Sequence, residues 1–328
     1  MGQRQATPRR LDPGHSAPRR AAAELWSAAR PIEVFARRLS AGLLAGRYRS
    51  LFRGSGQEVE ELREYVEGDD PRTIDAGVTA RLGRPFVKRF LDERHTTLLF
   101  VLDRSASMGA GAVAQPYAAA LLTLAALARA AGEHQDRVGL VLLGNSAPTA
   151  IPPGGGRRAG QRLLEAALAA PPDQLGVDWE AGLRRARALL PGRGTLVLLS
   201  DFLDGLPGLG GERAAGPLAA LARERDVIAA RFVVAEHLRW PVTAGGPSLR
   251  VADPEGGAER LLSPAAGAAF VADLAQRRAE FARAARRAGL DLFDIALDDH
   301  SAALGLPRAV ARALLGLDAS RRARGRRR

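Results

Sequence analysis

The chain has 328 residues, a net charge of +12 and 46% hydrophobic residues, a composition that suits one large globular domain or two small ones with a substantial core. It contains no cysteine, which excludes disulfides, iron–sulfur clusters and thiolate zinc and agrees with a reducing compartment. Lys88 is its one lysine and sits between Val87 and Arg89, so the Gly-Lys-Ser/Thr of a phosphate-binding P-loop is absent.

Residues 1–20 are rich in Pro, Arg, Gly and Ser and read as a disordered basic tail. No apolar signal segment follows them, and the longest apolar helical run, Tyr117 to Ala128, is too short to span a bilayer. A cytoplasmic protein without a transmembrane segment is expected. Residues 1–20 hold five Arg against one Asp, and residues 318–328 hold six Arg against one Asp. Such ends suit binding to nucleic acid or an anionic surface. A chain that uses arginine almost to the exclusion of lysine favours plain solvated ends instead, and argues against nucleic acid.

Ala21 to Arg49 reads as a helix broken at Pro31, with Leu25, Val34, Phe35, Leu39, Leu43 and Leu44 as its apolar stripe. Leu51 to Gly56 is a turn. Gly54 to Arg94 is dense in charges of alternating sign, with a turn at Gly68-Asp69-Asp70-Pro71 in which Asp70 caps a helical turn opened by Pro71. Ile74 to Arg81 and Pro85 to Phe90 read as extended. This stretch buries little apolar area, so its order is expected to depend on a neighbouring domain or a partner. Arg63, Asp69, Asp70, Arg72, Asp75 and Arg81 are its candidate partner-binding residues.

From Thr97 strands and helices alternate. Strands are expected at Thr97–Asp103, Val138–Leu143, Thr195–Ser200, Val227–Val234 and Leu290–Leu297. A short strand at Ala150-Ile151 ends at Pro152-Pro153-Gly154, and an edge strand lies at Leu249–Val251. Helices are expected at Pro116–Ala131, Gln161–Ala170, Trp179–Leu190, Ala214–Arg225 and Ala266–Ala288. This rhythm predicts an α/β fold, a mostly parallel sheet with helices on both faces. The expected division is a tail at 1–20, an N-terminal segment at 21–94, the α/β domain at 95–300, and a C-terminal helix and basic tail at 301–328.

The apolar run Leu98 to Leu102 leads directly into Asp103-Arg104-Ser105-Ala106-Ser107. Asp103, Ser105 and Ser107 stand at alternate positions just past a buried strand, where α/β sheets bind ligands. Three hard oxygens without Cys or His suit Mg²⁺ or Mn²⁺ rather than zinc. The plainer alternative is that they only cap the following helix. A later strand ends in Asp201.

Three runs together resemble one known family. They are Gly54-x-Gly56-x-Glu58 continuing through Leu62-Arg63-Glu64-Tyr65, Gly68-Asp69-Asp70, Arg72 and Ile74-Asp75; then Thr79-Ala80-Arg81-x-Gly83-Arg84-Pro85-Phe86-Val87-Lys88-Arg89-Phe90; then Asp103-x-Ser105-x-Ser107-Met108. Over about Leu39 to Asp298 the chain resembles the domain of unknown function 58 family. The resemblance implies a von Willebrand factor A-like domain and a MoxR-type AAA+ ATPase as partner, in chaperone-like remodelling or maturation of proteins. It also implies a metal-ion-dependent adhesion site on three loops, holding Mg²⁺ or Mn²⁺ through Asp103, Ser105, Ser107 and Asp201, with an acidic side chain of a protein ligand at the open position. That is binding rather than turnover, so no enzymatic activity is expected.

The sequence departs from the family at Ala76, where Trp is usual, in lacking the N-terminal membrane spans of many members, and at Val177, where the second loop normally supplies Thr. Valine offers no oxygen. Either water fills that position at lower affinity, or the site is degenerate and its carboxylates are held by hydrogen bonds or an Arg. Asp178 caps the helix that follows, or enters the site if the loop shifts by one residue. A Mg²⁺-dependent phosphohydrolase is the alternative class, since carboxylates at strand ends also serve phosphoryl transfer. The absence of a second Asp beside Asp103 counts against it. A serine hydrolase is weaker, because Gly144-Asn145-Ser146-Ala147-Pro148 lacks the second glycine of a nucleophile elbow. The five histidines (His15, His95, His134, His237 and His300) have no ligand-like spacing.

Overall fold

A computed structural model describes residues 13–32, 58–66, 69, 74–91, 96–111, 115–145, 147–172, 176–190, 194–203, 217–241, 245–254, 256, 258–300 and 305–325. The expected stripe residues Val34 to Leu44, the turn at Leu51–Gly56, and Asp70, Pro71 and Arg72 lie outside them. The chain divides into two compact units, Met1–Gly42 with Thr96–Arg328, and Leu43–His95.

Helix α1 spans Pro13–Ala28. It takes in part of the stretch expected as a disordered tail and belongs to the unit of the large sheet, whereas the sequence grouped Ala21 onward with the charged segment. Ala22 and Trp26 of this helix are buried, and so are Ala29 and Ile32 in the chain just past its end. Two of those residues are alanines, which a search for large apolar residues passes over. The helix ends at Ala28 and helical backbone resumes over Arg30–Ile32, so the break expected at Pro31 falls at Ala29.

The smaller unit holds strand β1 (Glu58–Glu64), helix α2 (Ala76–Leu82) and strand β2 (Phe86–Leu91). β1 and β2 pair antiparallel, from Glu58 opposite Leu91 to Glu64 opposite Phe86. The expectation of an extended Ile74–Arg81 is corrected. Asp75 takes an N-cap conformation and accepts the Val78 N–H at 2.9 Å, and Gly83 closes the helix at φ +67°. Capping at both ends decides a short segment that has no clear periodicity.

The large sheet is built from β3 (Thr97–Leu102), β4 (Arg137–Leu142), β5 (Thr149–Gly155), β6 (Gly194–Ser200), β7 (Asp226–Val234) and, after the two-stranded hairpin of β8 (Leu249–Ala252) and β9 (Glu259–Leu262), β10 (Asp291–Leu297). The strand order is β10-β7-β6-β3-β4-β5, parallel throughout except for the antiparallel edge strand β5. Leu249–Val251 therefore belongs to a separate hairpin, not to an edge of this sheet. β5 also runs on through Pro152-Pro153-Gly154-Gly155, which the sequence reads as a stop. Proline is tolerated because this is an edge strand, and the pairing is irregular between Val138 and Leu140. Gly139 makes room there: a Cβ on it would lie 3.0 Å from the Pro153 nitrogen.

Helix α3 (Pro116–Glu133) is buried around nearly its whole circumference. It lies on one face of the sheet, flanked by α4 (Arg157–Leu168) and packed by α1 and by the C-terminal helix α8 (Leu306–Gly325). The other face carries α5 (Trp179–Leu189), α6 (Pro217–Glu224) and α7 (Pro264–Arg287) over a core of Leu99, Val101, Leu196, Leu198, Val227 and Ala229. No helix among the described residues is long and apolar enough to cross a membrane.

Trp26 docks α1. A Cβ at Gly160 of α4 would lie 2.6 Å from its ring, the Arg129 guanidinium sits 5.2 Å from the ring centroid, and Arg129 Nη1 donates to the Trp26 carbonyl at 3.3 Å. Trp26→Ala is expected to cost about 3–5 kcal/mol and Gly160→Ala about 1–3 kcal/mol, both read by urea unfolding. The double substitution should fall short of the sum, because the cavity left by the first accommodates the methyl of the second.

Candidate metal and partner-binding site

β3 and β6 run in parallel register, with Leu102 opposite Leu199, and the Asp103 N–H extends the ladder by one bond to the Leu199 carbonyl at 3.0 Å. From β3 the chain winds outward through β4 to β5; from β6 it winds the other way to β7 and β10. The crevice between the ends of β3 and β6 is thus the topological switch point of the sheet, where this architecture binds ligands.

Asp103, Ser105, Ser107 and Asp201 are all buried there. Asp103 Oδ1 accepts the Ser105 N–H at 2.8 Å, and the hydroxyls of Ser105 and Ser107 lie 3.0 Å apart. Ser107 is presented by a single turn of 3₁₀ helix at Ala106–Gly109. Asp201 leaves the neighbouring strand, and its Oδ1 accepts the Leu203 N–H at 3.2 Å.

Ser200 was not read from the sequence as part of the site. It is fully buried and donates its hydroxyl to Asp103 Oδ2 at 2.5 Å, while its Oγ accepts the Phe202 N–H at 2.9 Å. One hydroxyl thus joins the first loop to the third. Phe202 takes a left-handed backbone, φ +52°, uncommon outside glycine and asparagine. Its ring stacks on Trp179 (centroids 5.7 Å apart) and on Phe281 (4.8 Å). The available signal was a Ser directly before the Asp at the end of an apolar strand.

The second loop differs. Val177 packs against the apolar core beneath α5 and α6. Asp178 is exposed and caps α5, accepting the Ala181 N–H at 2.8 Å. In the smaller unit, Asp69 accepts the Val66 N–H at 3.0 Å and Asp75 caps α2, so both carboxylates serve local backbone. Arg81 is exposed at the end of α2, and Arg63 stands on β1 opposite Val87. Asp70 and Arg72 lie outside the described residues.

Two buried carboxylates and two buried hydroxyls fit a hard divalent cation. A carboxylate oxygen that accepts one hydrogen bond keeps a second lone pair for a cation. Among the described residues no group of three or more His, Cys, Asp or Glu gathers into a metal site. Asp103, Ser105, Ser107 and Asp201 would hold the ion, which when bound would supply a Lewis-acidic position for an incoming carboxylate.

A sheet of this order, with Asp-x-Ser-x-Ser leaving the strand at its switch point and Asp leaving the next, defines a von Willebrand factor A-like domain. The chain belongs to the family described as protein of unknown function DUF58, whose model matches residues 61–289. It is 29% identical over 280 residues to the uncharacterized proteins Rv1480 of Mycobacterium tuberculosis and Mb1516 of Mycobacterium bovis, covering 84% of this chain and 86% of each relative. Among solved structures it is similar to the conserved hypothetical protein BatB from Bacteroides thetaiotaomicron (TM-score 0.36, 17% identity, 68% of this chain and 98% of that one). It is also similar to the SpRpn10 VWA domain (TM-score 0.34, 13% identity, 68% and 94%). The class rests on the strand order rather than on these likenesses.

Ser200→Ala removes a buried donor from Asp103 and an acceptor from Phe202. A loss of about 1–3 kcal/mol is expected, measured by chemical denaturation, against under about 0.5 kcal/mol for an exposed control such as Ser248→Ala.

Proposed function

We propose that the chain is a non-enzymatic protein-binding adaptor whose switch-point site, holding Mg²⁺ or Mn²⁺, captures an acidic side chain of a partner protein. The observation that supports this is the grouping of Asp103, Ser105 and Ser107 at the end of β3 beside Asp201 at the end of β6. These are acceptor and hydroxyl oxygens, with Ser200 orienting Asp103. A divalent cation there offsets two buried carboxylates and gives a third, from the partner, a ligand position. A water would have to supply the ligand that Val177 does not offer, at reduced affinity. The family resemblance makes a MoxR-type AAA+ ATPase the partner to test, with remodelling or maturation of other proteins as the shared task and the cytoplasm as its place.

Thermal unfolding of wild type and Asp103→Ala across a Mg²⁺ and Mn²⁺ series tests the ion. A ligand bound only by the folded state adds about 1.4 kcal/mol per decade of concentration above its dissociation constant. Wild type is expected to follow that slope and Asp103→Ala to stay flat. The adaptor role is tested by biolayer interferometry against a purified MoxR-type ATPase at fixed Mg²⁺. Asp103→Ala should bind at least about tenfold more weakly, a loss of some 1.4 kcal/mol; equal binding by the two proteins would remove the site from the interaction.

A further inference from the structure

Next to Asp201 a cleft opens at the C-terminal ends of β6 and β7, closed from above by α7. Arg277 and Arg278 of α7 and His237, just past β7, bring basic groups to it, while Phe202, Val233 and Leu274 add apolar lining. Arg231 also lines it but is internally committed. It makes a bidentate pair with Asp294 of β10, both bonds 2.9 Å, and donates from Nη1 to the Arg278 carbonyl at 2.9 Å. That bond fixes the α7 backbone where its two arginines reach the cleft.

The two arginines are differently placed. Arg277 pairs with Asp273 one turn earlier at 2.8 Å, with both side chains half or more exposed; such a surface pair is weak and readily exchanged for another anion. Arg278 is half-buried, and its guanidinium makes no ion pair among the described residues. A partly desolvated guanidinium that lines a cleft and makes no ion pair of its own favours an incoming anion.

We infer that this cleft is a second subsite of the partner-binding surface and takes a carboxylate side chain from an acidic segment of the partner protein. The assignment of the ligand to a protein rests on the adaptor reading; the subsite itself does not require the metal. The apolar lining suits the methylenes of Glu. The Asp201 carboxylate on the wall repels a phosphate dianion more than a monoanionic side chain. Since Asp201 borders both places, a partner with acidic residues close together in sequence reaches both.

The experiment uses the full chain and a fluorescein-labelled peptide, Gly-Glu-Leu-Glu-Glu-Gly, with its Glu→Gln counterpart as control, followed by fluorescence anisotropy in Mg²⁺ and in EDTA. Wild type should bind the Glu peptide and not the Gln peptide. Arg277→Gln/Arg278→Gln should weaken binding at least tenfold while keeping the wild-type thermal midpoint and its response to Mg²⁺. Equal binding by that variant, no preference for Glu by wild type, or displacement by inorganic phosphate at peptide-like concentrations overturns the subsite. Arginine-dependent binding that persists in EDTA or in Asp103→Ala upholds the subsite and counts against the metal reading. Binding that depends on Asp103 but not on the arginines does the reverse.

Discussion

The register between β3 and β6 is the constraint on which the rest depends. Leu102 faces Leu199, so the residues that follow them, Asp103 and Ser200, stand side by side and share a buried hydrogen bond of 2.5 Å. A slip of one residue would turn every side chain on one strand to the opposite face. It would carry Asp103 away from Ser200 and bury Leu198 or Leu199 against the wrong helices. The apolar layers on the two sheet faces therefore specify the site indirectly. Alternate residues of β3, β4, β6 and β7 fill the core beneath α5, α6 and α7, and that alternation permits a single register.

From that bond, order spreads through aromatic packing. The Phe202 N–H is tied to Ser200, and its ring lies between Trp179, at the start of α5, and Phe281 on α7. The second loop, the third loop and α7 thus meet in one stack. The Arg231 guanidinium covers the Phe281 ring at 5.5 Å and grips Asp294, its register partner on β10. Buried and held by several partners, Arg231 would be left as an uncompensated charge if Asp294 were removed. The left-handed backbone of Phe202 costs free energy, and stacking on two sides offsets it.

Much of this was legible in the sequence, for identifiable reasons. LLFVL before Asp103 is an unbroken apolar run, as a strand buried on both faces requires, and all six residues of β3 are buried. The helical and strand periods after Thr97 gave the α/β order and the mostly parallel sheet. Most of the misses come from tertiary context overriding a local signal, and one from capping within the segment. Pro152-Pro153 reads as a stop but continues β5, because an edge strand has free positions on one side. Ile74 to Arg81 reads as extended, yet caps at Asp75 and Gly83 make most of it a helix. Pro13 to Arg20 reads as a tail, but Trp26 gives this helix a groove to fill. Ser200 carries no signal of its own; only the register of two distant strands shows that its hydroxyl meets Asp103. Val177, conversely, was read from sequence as a lost oxygen, and its packing against the core gives the valine a structural part.

The central claim, that these oxygens form one divalent-cation site, is tested most directly by titrating Mn²⁺ into wild type and Asp201→Asn and counting bound ion by electron paramagnetic resonance. The account predicts one saturable Mn²⁺ per wild-type chain, displaced by Mg²⁺ and absent from Asp201→Asn. No bound Mn²⁺ on the folded wild type, or the same binding by both proteins, would contradict it and leave Asp103, Ser200 and Asp201 as a buried polar brace between two strands.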